Sequence, residues 1–429
     1  MVFQTQVNES VFTIGSTNIK FGIGAAEELG FELSKFKAKR VLLVTDKNLT
    51  ELGIPQRIRD IIEKEGIEVD VYDDIHIEPT DKSMVKAAEA VKGKEYDAFV
   101  ALGGGSTIDH AKAINLLTTY PAPIMDYVNR PIGAGKPVPG PLKPLIAVPT
   151  TAGSGSENTP VIVLDIEELR VKTGISHPYI RPNMAVVDPL LTITMPPMVT
   201  ASTGLDVLTH AAEAYTTKPF YARPKPKSPA ERGAYVGSNP ITDLFAEKAI
   251  ELVAKYLRRA YYNGYDLEAR YYMMLACELA SSSFGNAGVH IPHANAYPIA
   301  GMVRDYIPPD YKVDYPLVPH GISVVLTAPA AFRFIAPAMT EKVAKIATIL
   351  GVEPESMDPK KVGEAIYEAF VRLMEDLRIP KGLKEIGYKE SDIPDLVEGA
   401  IKQQRLLVHS PRPVGKKELE RIFKDSMEF

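Results

Sequence analysis

Three histidines and one aspartate occupy positions that a metal ion could use. Asp206 and His210 lie four residues apart in GLDVLTHAAEAY, His293 closes an HxxH pair with His290, and His320 follows a proline-rich stretch in VPHG. On a helix, that four-residue spacing puts two side chains on one face, as a shared ion requires. Asp206, His210, His293 and His320 would offer one carboxylate and three imidazoles. Around a divalent ion the set carries a net charge of about +1 and leaves a coordination position open. An alcohol oxygen placed there would lose its proton more readily, and hydride could then leave carbon for a nicotinamide. Ligation by nitrogen and oxygen alone suits Fe2+, Zn2+, Ni2+ or Mn2+ and does not choose among them. Taken singly, an Asp-x-x-x-His is commonly a surface pair or a helix cap, and a lone histidine is commonly structural. The reading rests on the set.

A nucleotide signal accompanies it. Gly103-Gly104-Gly105-Ser106 comes directly after the apolar run AFVAL and opens the helical stretch TIDHAKAINLL. Glycines let the backbone approach a ligand, and the first N–H groups and the dipole of a helix favour a pyrophosphate. The pattern is not GxGxxG, and the alternative is a tight strand-to-helix turn. Asp46 ends the run VLLVTD. Its carboxylate could accept hydrogen bonds from ribose hydroxyls, favouring NAD over NADP, or could cap the next helix. Thr150, Thr151 and Ser154 follow the apolar run LIAVP. Small hydroxyl residues and glycines there suit ribose, phosphate or a nicotinamide amide, or form a plain polar loop.

The elements that must position these residues divide the chain in two. VLLVT (41–45) reads as a fully buried strand, and VDVY (69–72), AFVAL (98–102), LIAVP (145–149) and MAVVD (184–188) read as further strands. Between the first two, Ile58, Ile61 and Ile62 stand at helical spacing before Gly66, and SMVKAAEAVK (83–92) is an amphipathic helix. Strands alternating with helices imply a parallel sheet covered on both faces. Beyond about residue 197 strand-like runs nearly vanish, and helices are expected over 200–216, 241–261, 266–283, 339–351, 360–378, 393–404 and 416–427. Proline-rich loops are expected over 218–240 and 301–320. We therefore expect an α/β dinucleotide-binding domain (1–197), a helical metal-binding domain (198–429) and a site in the cleft between them.

Composition excludes other classes. With 45% apolar and 24% charged residues, the chain is ordinary globular protein rather than disordered. A net charge of −5 argues against a dedicated nucleic-acid binder. No apolar run is long enough for a membrane span. The single cysteine, Cys277, excludes an intrachain disulfide and a multi-cysteine metal site, and fits a reducing, cytoplasmic setting. The start, MVFQTQVNES, lacks the basic and apolar stretches of a secretory signal.

The segments VLLVTDKNL, ALGGGSTIDHAK, IAVPTTAGSGSE, VVDPLL, TGLDVLTHAAEAY, GVHIPHANAYPIAG and VPHG occur in that order over residues 41–330. In this the chain resembles the iron-containing (group III) alcohol dehydrogenases. The resemblance implies a Rossmann-like nucleotide domain, a helical metal domain of dehydroquinate synthase-like architecture, NAD(H), Fe2+ (or Zn2+) and a homodimer. It implies Asp206, His210, His293 and His320 as metal ligands. It places Asp46, Gly103 to Ser106, Asp109, Thr150, Thr151, Ser154 and Lys172 at cofactor-contact positions. Two departures stand out. The common HxxxHPxG pattern here has Tyr297 in place of its second histidine, and a phenol is a poorer proton shuttle than an imidazole near neutrality. His290, one turn earlier, could compensate. Glu78 stands where many relatives carry asparagine near the nucleotide.

Both departures, together with DYVNRPIGAGKPVPGPLKPLIAVPTT, AYVGSNPITD, DYPLVPHGISVVLTAPA and GYKESDIPDLVEGA, resemble one branch, the hydroxyacid-oxoacid transhydrogenases. That branch implies hydride transfer from 4-hydroxybutyrate to 2-oxoglutarate with NAD(H) retained, in the mitochondrion if the source is a eukaryote. Acidic substrates call for an arginine or lysine in the cleft, and Arg304, between His293 and His320 in sequence, is the candidate. The alternatives are an NAD(P)-dependent alcohol dehydrogenase acting on primary alcohols or aldehydes, and a non-catalytic protein that binds metal and nucleotide.

Overall fold

The computed structural model describes residues 8–169 and 171–429. The leader reading of the first residues therefore lies largely outside the described part. Eight strands form in chain order: β1 (Asn18–Phe21), β2 (Arg40–Val44), β3 (Glu68–Tyr72), β4 (Ala98–Gly103), β5 (Leu145–Pro149), β6 (Val161–Ile166), β7 (Val171–Ser176) and β8 (Met184–Val187). Six of them make one parallel sheet in the order β1-β8-β5-β4-β2-β3, and β6 and β7 pair as a separate antiparallel hairpin.

Four of the five apolar runs form β2, β4, β5 and β8, strands inside the sheet with buried side chains on both faces, whereas VDVY forms the edge strand β3 and leaves Val71 exposed. Alternate residues of β2 and β4 point to opposite sides. Val41, Leu43, Val100 and Leu102 meet Leu29, Ile58 and Ile62 on one side. Leu42, Val44, Phe99 and Ala101 meet Ala87, Ile108 and Ile114 on the other. β1 and the β6–β7 hairpin were not anticipated. β1 is a short edge strand with the sequence NIKF and only partial burial. The hairpin covers a satellite core with Met84, Leu116 and Tyr127.

The chain runs from β2 outward to β3 and then crosses back to β4, so the strand order reverses between β2 and β4. Ligands of open α/β sheets bind beyond the carboxyl ends of the strands at such a switch point. Asp46 follows β2 there, and Gly104 follows β4.

No strand forms after β8 among the described residues. The helix Pro197–Thr216 runs through the middle of the helical part and packs against helices Pro240–Tyr262 and Leu267–Ala287. It is buried along nearly its whole length, so polar side chains on it need partners inside the protein. The segment expected as a loop over 301–320 follows a helix the periodicity did not reveal, Ile291–Gly301, and ends where His320 opens the helix His320–Val325. The 218–240 segment holds only two single 3-10 turns.

Candidate active site

Four side chains from three helices converge. Asp206 and His210 project from Pro197–Thr216, His293 from Ile291–Gly301, and His320 from the first residue of His320–Val325. Their potential ligand atoms all lie within 4.8 Å of one another. Asp206 Oδ1 is 3.6 Å from His210 Nδ1, 3.6 Å from His293 Nε2 and 3.9 Å from His320 Nε2. Phe284 stacks on the His210 ring at 3.9 Å.

The residues fit a metal ion on the chemistry of their free atoms. Asp206 Oδ1, His210 Nδ1 and His293 Nε2 are buried and have no hydrogen-bond partner among the described residues. Leaving such atoms unpaired is costly, and one cation among them would satisfy all three. Burial disfavours the Asp206 carboxylate, but His210, His320 and His293 outweigh it and hold the pKa at about 2. Burial pushes His210 down to about 3, which keeps the imidazole neutral and able to donate a lone pair.

Glu213, one further turn along the same helix face, was not singled out from the sequence. It is fully buried, and its Oε1 accepts the backbone N–H groups of His290 (3.0 Å) and His293 (3.3 Å). Its Oε2 pairs with His293 Nδ1. One carboxylate thus caps the Ile291–Gly301 helix and turns His293 so that Nε2 faces Asp206. Burial disfavours the His293 charge, yet Glu213 and Asp206 prevail and push its pKa up to about 10.

A cavity of about 460 Å3 leads from this cluster to the switch point of the sheet. Asp46, Gly104, Gly105, Ser106, Asp109, Thr150, Thr151, Ser154 and Lys172 line it, and Tyr297 stands near the metal cluster's end with His293 and His320. Gly104 and Gly105 are needed for a close approach. A Cβ on Gly105 would come within 2.6 Å of Ser154 Oγ, and one on Gly104 within 3.3 Å of Thr151 Oγ1. Gly103 lies beneath the loop, against Thr107, and does not line the cavity. Asp46 combines the two roles open to it. Its carboxylate caps the helix Lys47–Glu51 through Leu49 N at 3.0 Å while facing the cavity, where burial raises its pKa.

Two other cofactor candidates already have partners. Asp109 accepts from Ser156 Oγ, from Lys112 Nζ at 3.3 Å and from Val163 N at 2.8 Å, so it ties the Ser154 loop and β6 to the glycine-loop helix. Lys172 pairs with Glu78 and lies 3.4 Å from Asp165. Glu78 thus neutralises a lysine at the cavity wall.

Two candidates are not brought to the cavity. His290 is fully buried with Nε2 on Thr216 Oγ1 at 3.0 Å and its ring against Phe332, so it packs beneath the site and does not replace the missing histidine. Arg304 lies at the surface in a two-bond pair with Asp392 at 2.7 and 3.0 Å. Proximity in sequence to His293 and His320 did not carry into space for Arg304, although Asp310, Tyr311 and Lys312 of the same loop do reach the cavity. An arginine that does reach the cavity is Arg405, from the short helix Gln404–Leu407, which donates to Tyr297 Oη at 2.5 Å. Nothing in the surrounding KQQRLL distinguishes it from an ordinary surface charge.

A glycine loop at the sheet's switch point and a carboxylate–imidazole cluster that could hold a metal, opening on one cavity, accord with the comparisons. Residues 16–189 match the family model described as iron-containing alcohol dehydrogenase, and residues 231–427 the one described as Fe-containing alcohol dehydrogenase family, C-terminal. The chain belongs to the iron-containing alcohol dehydrogenase family. It is an enzyme, a metal-dependent oxidoreductase that uses a nicotinamide cofactor on small molecules. Within this family it groups with proteins named hydroxyacid-oxoacid transhydrogenase. The mitochondrial one from Bos taurus is 47% identical over 426 residues, covering 99% of this chain and 91% of that one. Among solved structures, 1,3-propanediol oxidoreductase superposes with a TM-score of 0.84 at 32% identity, covering 97% of this chain and 100% of that one. Sulfoacetaldehyde reductase from Bifidobacterium kashiwanohense, in complex with NAD+, gives 0.81 at 28% identity, covering 98% and 99%. No described helix of this family member is long and apolar enough to cross a membrane.

Proposed function

We propose that the enzyme is a hydroxyacid-oxoacid transhydrogenase. In one half-reaction 4-hydroxybutyrate gives a hydride to NAD+ and a proton to the protein, leaving succinate semialdehyde. In the other, the NADH so formed gives its hydride to C2 of 2-oxoglutarate and a proton follows, yielding 2-hydroxyglutarate. The cofactor returns to its starting state. The observation that carries the proposal is 47% identity across 99% of the chain to an enzyme of that name. The continuous cavity supports it, because the glycine loop and the carboxylate–imidazole cluster open on one shared space.

In this reading the residues divide the work. The N–H groups after Gly104 and the dipole of the helix Gly105–Thr119 hold the pyrophosphate. Asp46 accepts from the adenosine ribose, where its charge would repel the extra phosphate of NADP. Thr150, Thr151 and Ser154 wall the route to the nicotinamide. Asp206, His210, His293 and His320 would hold Fe2+, which when bound supplies Lewis acidity toward the substrate oxygen. Tyr297, the neighbour of His293 on the cavity wall, holds or passes the proton. We further propose a division near residue 197 between nucleotide and metal domains, a homodimer, and a reducing compartment, cytoplasmic or mitochondrial, in keeping with a buried free Cys277.

The test is turnover without added nucleotide. Fe2+-loaded protein receives 4-hydroxybutyrate and 2-oxoglutarate, and 2-hydroxyglutarate is followed by mass spectrometry. Product well beyond one equivalent per subunit is expected. NADH release from added NAD+ and primary alcohols, with no product from the acid pair, would instead make this an ordinary alcohol dehydrogenase.

A further inference from the structure

The two lysines that line the cavity are each paired with a carboxylate of the protein itself. Lys172 meets Glu78 and Asp165. Lys312 pairs with Glu51 at 3.3 Å. Arg405 differs. Its guanidinium donates to Tyr297 Oη at 2.5 Å and stands 5.3 Å from the centre of the Tyr297 ring. Among the described residues no carboxylate oxygen lies within 4.0 Å of it. It is half-buried, and the remaining N–H groups of its planar fork are available to a ligand.

We propose that Arg405 is the carboxylate anchor of the substrate site and that it grips the same end of both substrates. The inference rests on the transhydrogenase reading. A cation held at a cavity wall with no acid partner suits an incoming anion, and an arginine fork matches a carboxylate with two parallel hydrogen bonds.

The substrates themselves explain why one anchor suffices. In 4-hydroxybutyrate the reacting carbon is C4 and the carboxylate is C1, three carbon–carbon bonds away. In 2-oxoglutarate the reacting carbon is C2 and the distal carboxylate is C5, again three bonds away. A guanidinium fixed relative to the metal cluster therefore presents either reacting carbon at the same place, and hydride can leave one substrate and enter the other along one path. The second carboxylate of 2-oxoglutarate occupies the position of a hydrogen in succinate semialdehyde, next to the reacting carbon and away from Arg405. Tyr297 links anchor and chemistry, since its oxygen accepts from Arg405 and its own O–H remains free to donate.

The experiment compares an acid with its uncharged counterpart. For the wild type, Arg405→Gln and Arg405→Lys, kcat/KM is measured for 4-hydroxybutyrate and for 1-butanol with an added soluble hydride acceptor. The chain-length series 3-hydroxypropionate, 4-hydroxybutyrate and 5-hydroxypentanoate is run beside them. A hydrogen bond to a charged group corresponds to roughly a 10- to 100-fold effect. In R405Q the ratio of acid to butanol efficiency is expected to fall by that amount, mostly through KM, and the wild-type preference for the four-carbon acid is expected to flatten. R405K should restore part of the ratio. Glutarate, which keeps both carboxylates of 2-oxoglutarate but lacks its keto oxygen, should inhibit the wild type competitively and R405Q far more weakly. An unchanged ratio in R405Q, whether both efficiencies fall together or neither does, overturns the anchor and leaves Arg405 a support for Tyr297. A wild type that oxidises 1-butanol and ignores the acid overturns the transhydrogenase reading, and the anchor with it.

Discussion

Glu213 does not line the cavity, yet two backbone N–H groups and one imidazole converge on its carboxylate. Its effect on metal binding must pass through His293, whose ring it orients. Glu213→Gln keeps the volume and removes the charge that directs His293 Nδ1. Metal affinity is expected to fall roughly 10- to 100-fold, the usual cost of losing such an outer partner. Competition against a chelator, followed by metal analysis, measures it, and an unaltered affinity would leave Glu213 a helix cap only. Tyr297 acts on the proton. Tyr297→Phe should leave metal content intact and lower turnover by about 10-fold or more, with a changed pH–rate profile. A rate and profile equal to the parent's would reduce the phenol to packing. The four metal-cluster residues were legible because imidazoles are scarce and Asp206 and His210 share a helical face. Arg405 and Glu213 were not, since arginine and glutamate are common on helices and only the fold tells which ones turn inward.

At the scale of elements, the glycine loop is the part whose shape matters most. Gly104 has an extended backbone that other residues could adopt, so its need for glycine is steric. A branched side chain would press against Thr151 and fill the space in which a pyrophosphate would lie. Gly104→Val is therefore expected to weaken NAD binding at least about 10-fold, while the metal cluster, on other helices, keeps its ion. Calorimetric titration with NAD+ and metal analysis on one sample separate the two, and an unchanged NAD affinity would move the nucleotide elsewhere. Strand–loop–helix order at this site was readable because β4 is apolar throughout and the glycines follow at once. The helix Ile291–Gly301 was not readable. It is buried all round, so no polar face gives it a period, and Pro292 and Pro298 read as breaks. Pro292 is tolerated in the first turn, where its missing N–H has no helical partner in any case.

For the whole molecule, what matters is how the sheet-bearing part is joined to the helical part. The alternation of strands and helices, giving way to helices alone, made the two-part architecture legible, but the contact between the parts depends on side chains far apart in sequence. Asn158, in the 3-10 turn that follows the Ser154 loop, donates to Ser281 Oγ at 3.1 Å and to Ser282 Oγ at 2.9 Å on the helix Leu267–Ala287. Gly155 has a φ of +63°, and a Cβ on it would come within 2.5 Å of Ser281 Cβ, so the loop seats tightly on that helix. Glu157 and Glu278 face each other across the same junction, both buried. Burial raises the pKa of each, and the Glu157 charge raises Glu278 further. Both Glu278 oxygens lack a hydrogen-bond partner among the described residues. A carboxyl whose folded pKa lies above its unfolded value holds its proton longer in the folded state. Its contribution to stability is therefore most favourable below the unfolded value and declines as pH rises toward the folded one. Glu278→Gln removes that titration while keeping the shape. The variant should match or trail the parent near pH 4.5 and gain on it as pH rises, reaching roughly 1–2 kcal/mol by pH 8. Melting temperatures of both proteins across that range, at fixed ionic strength, measure the difference. A gap that stays constant with pH, or a variant less stable at pH 8, would mean that the pair is ionised at no cost and that the junction rests on Asn158 and the close seat of Gly155.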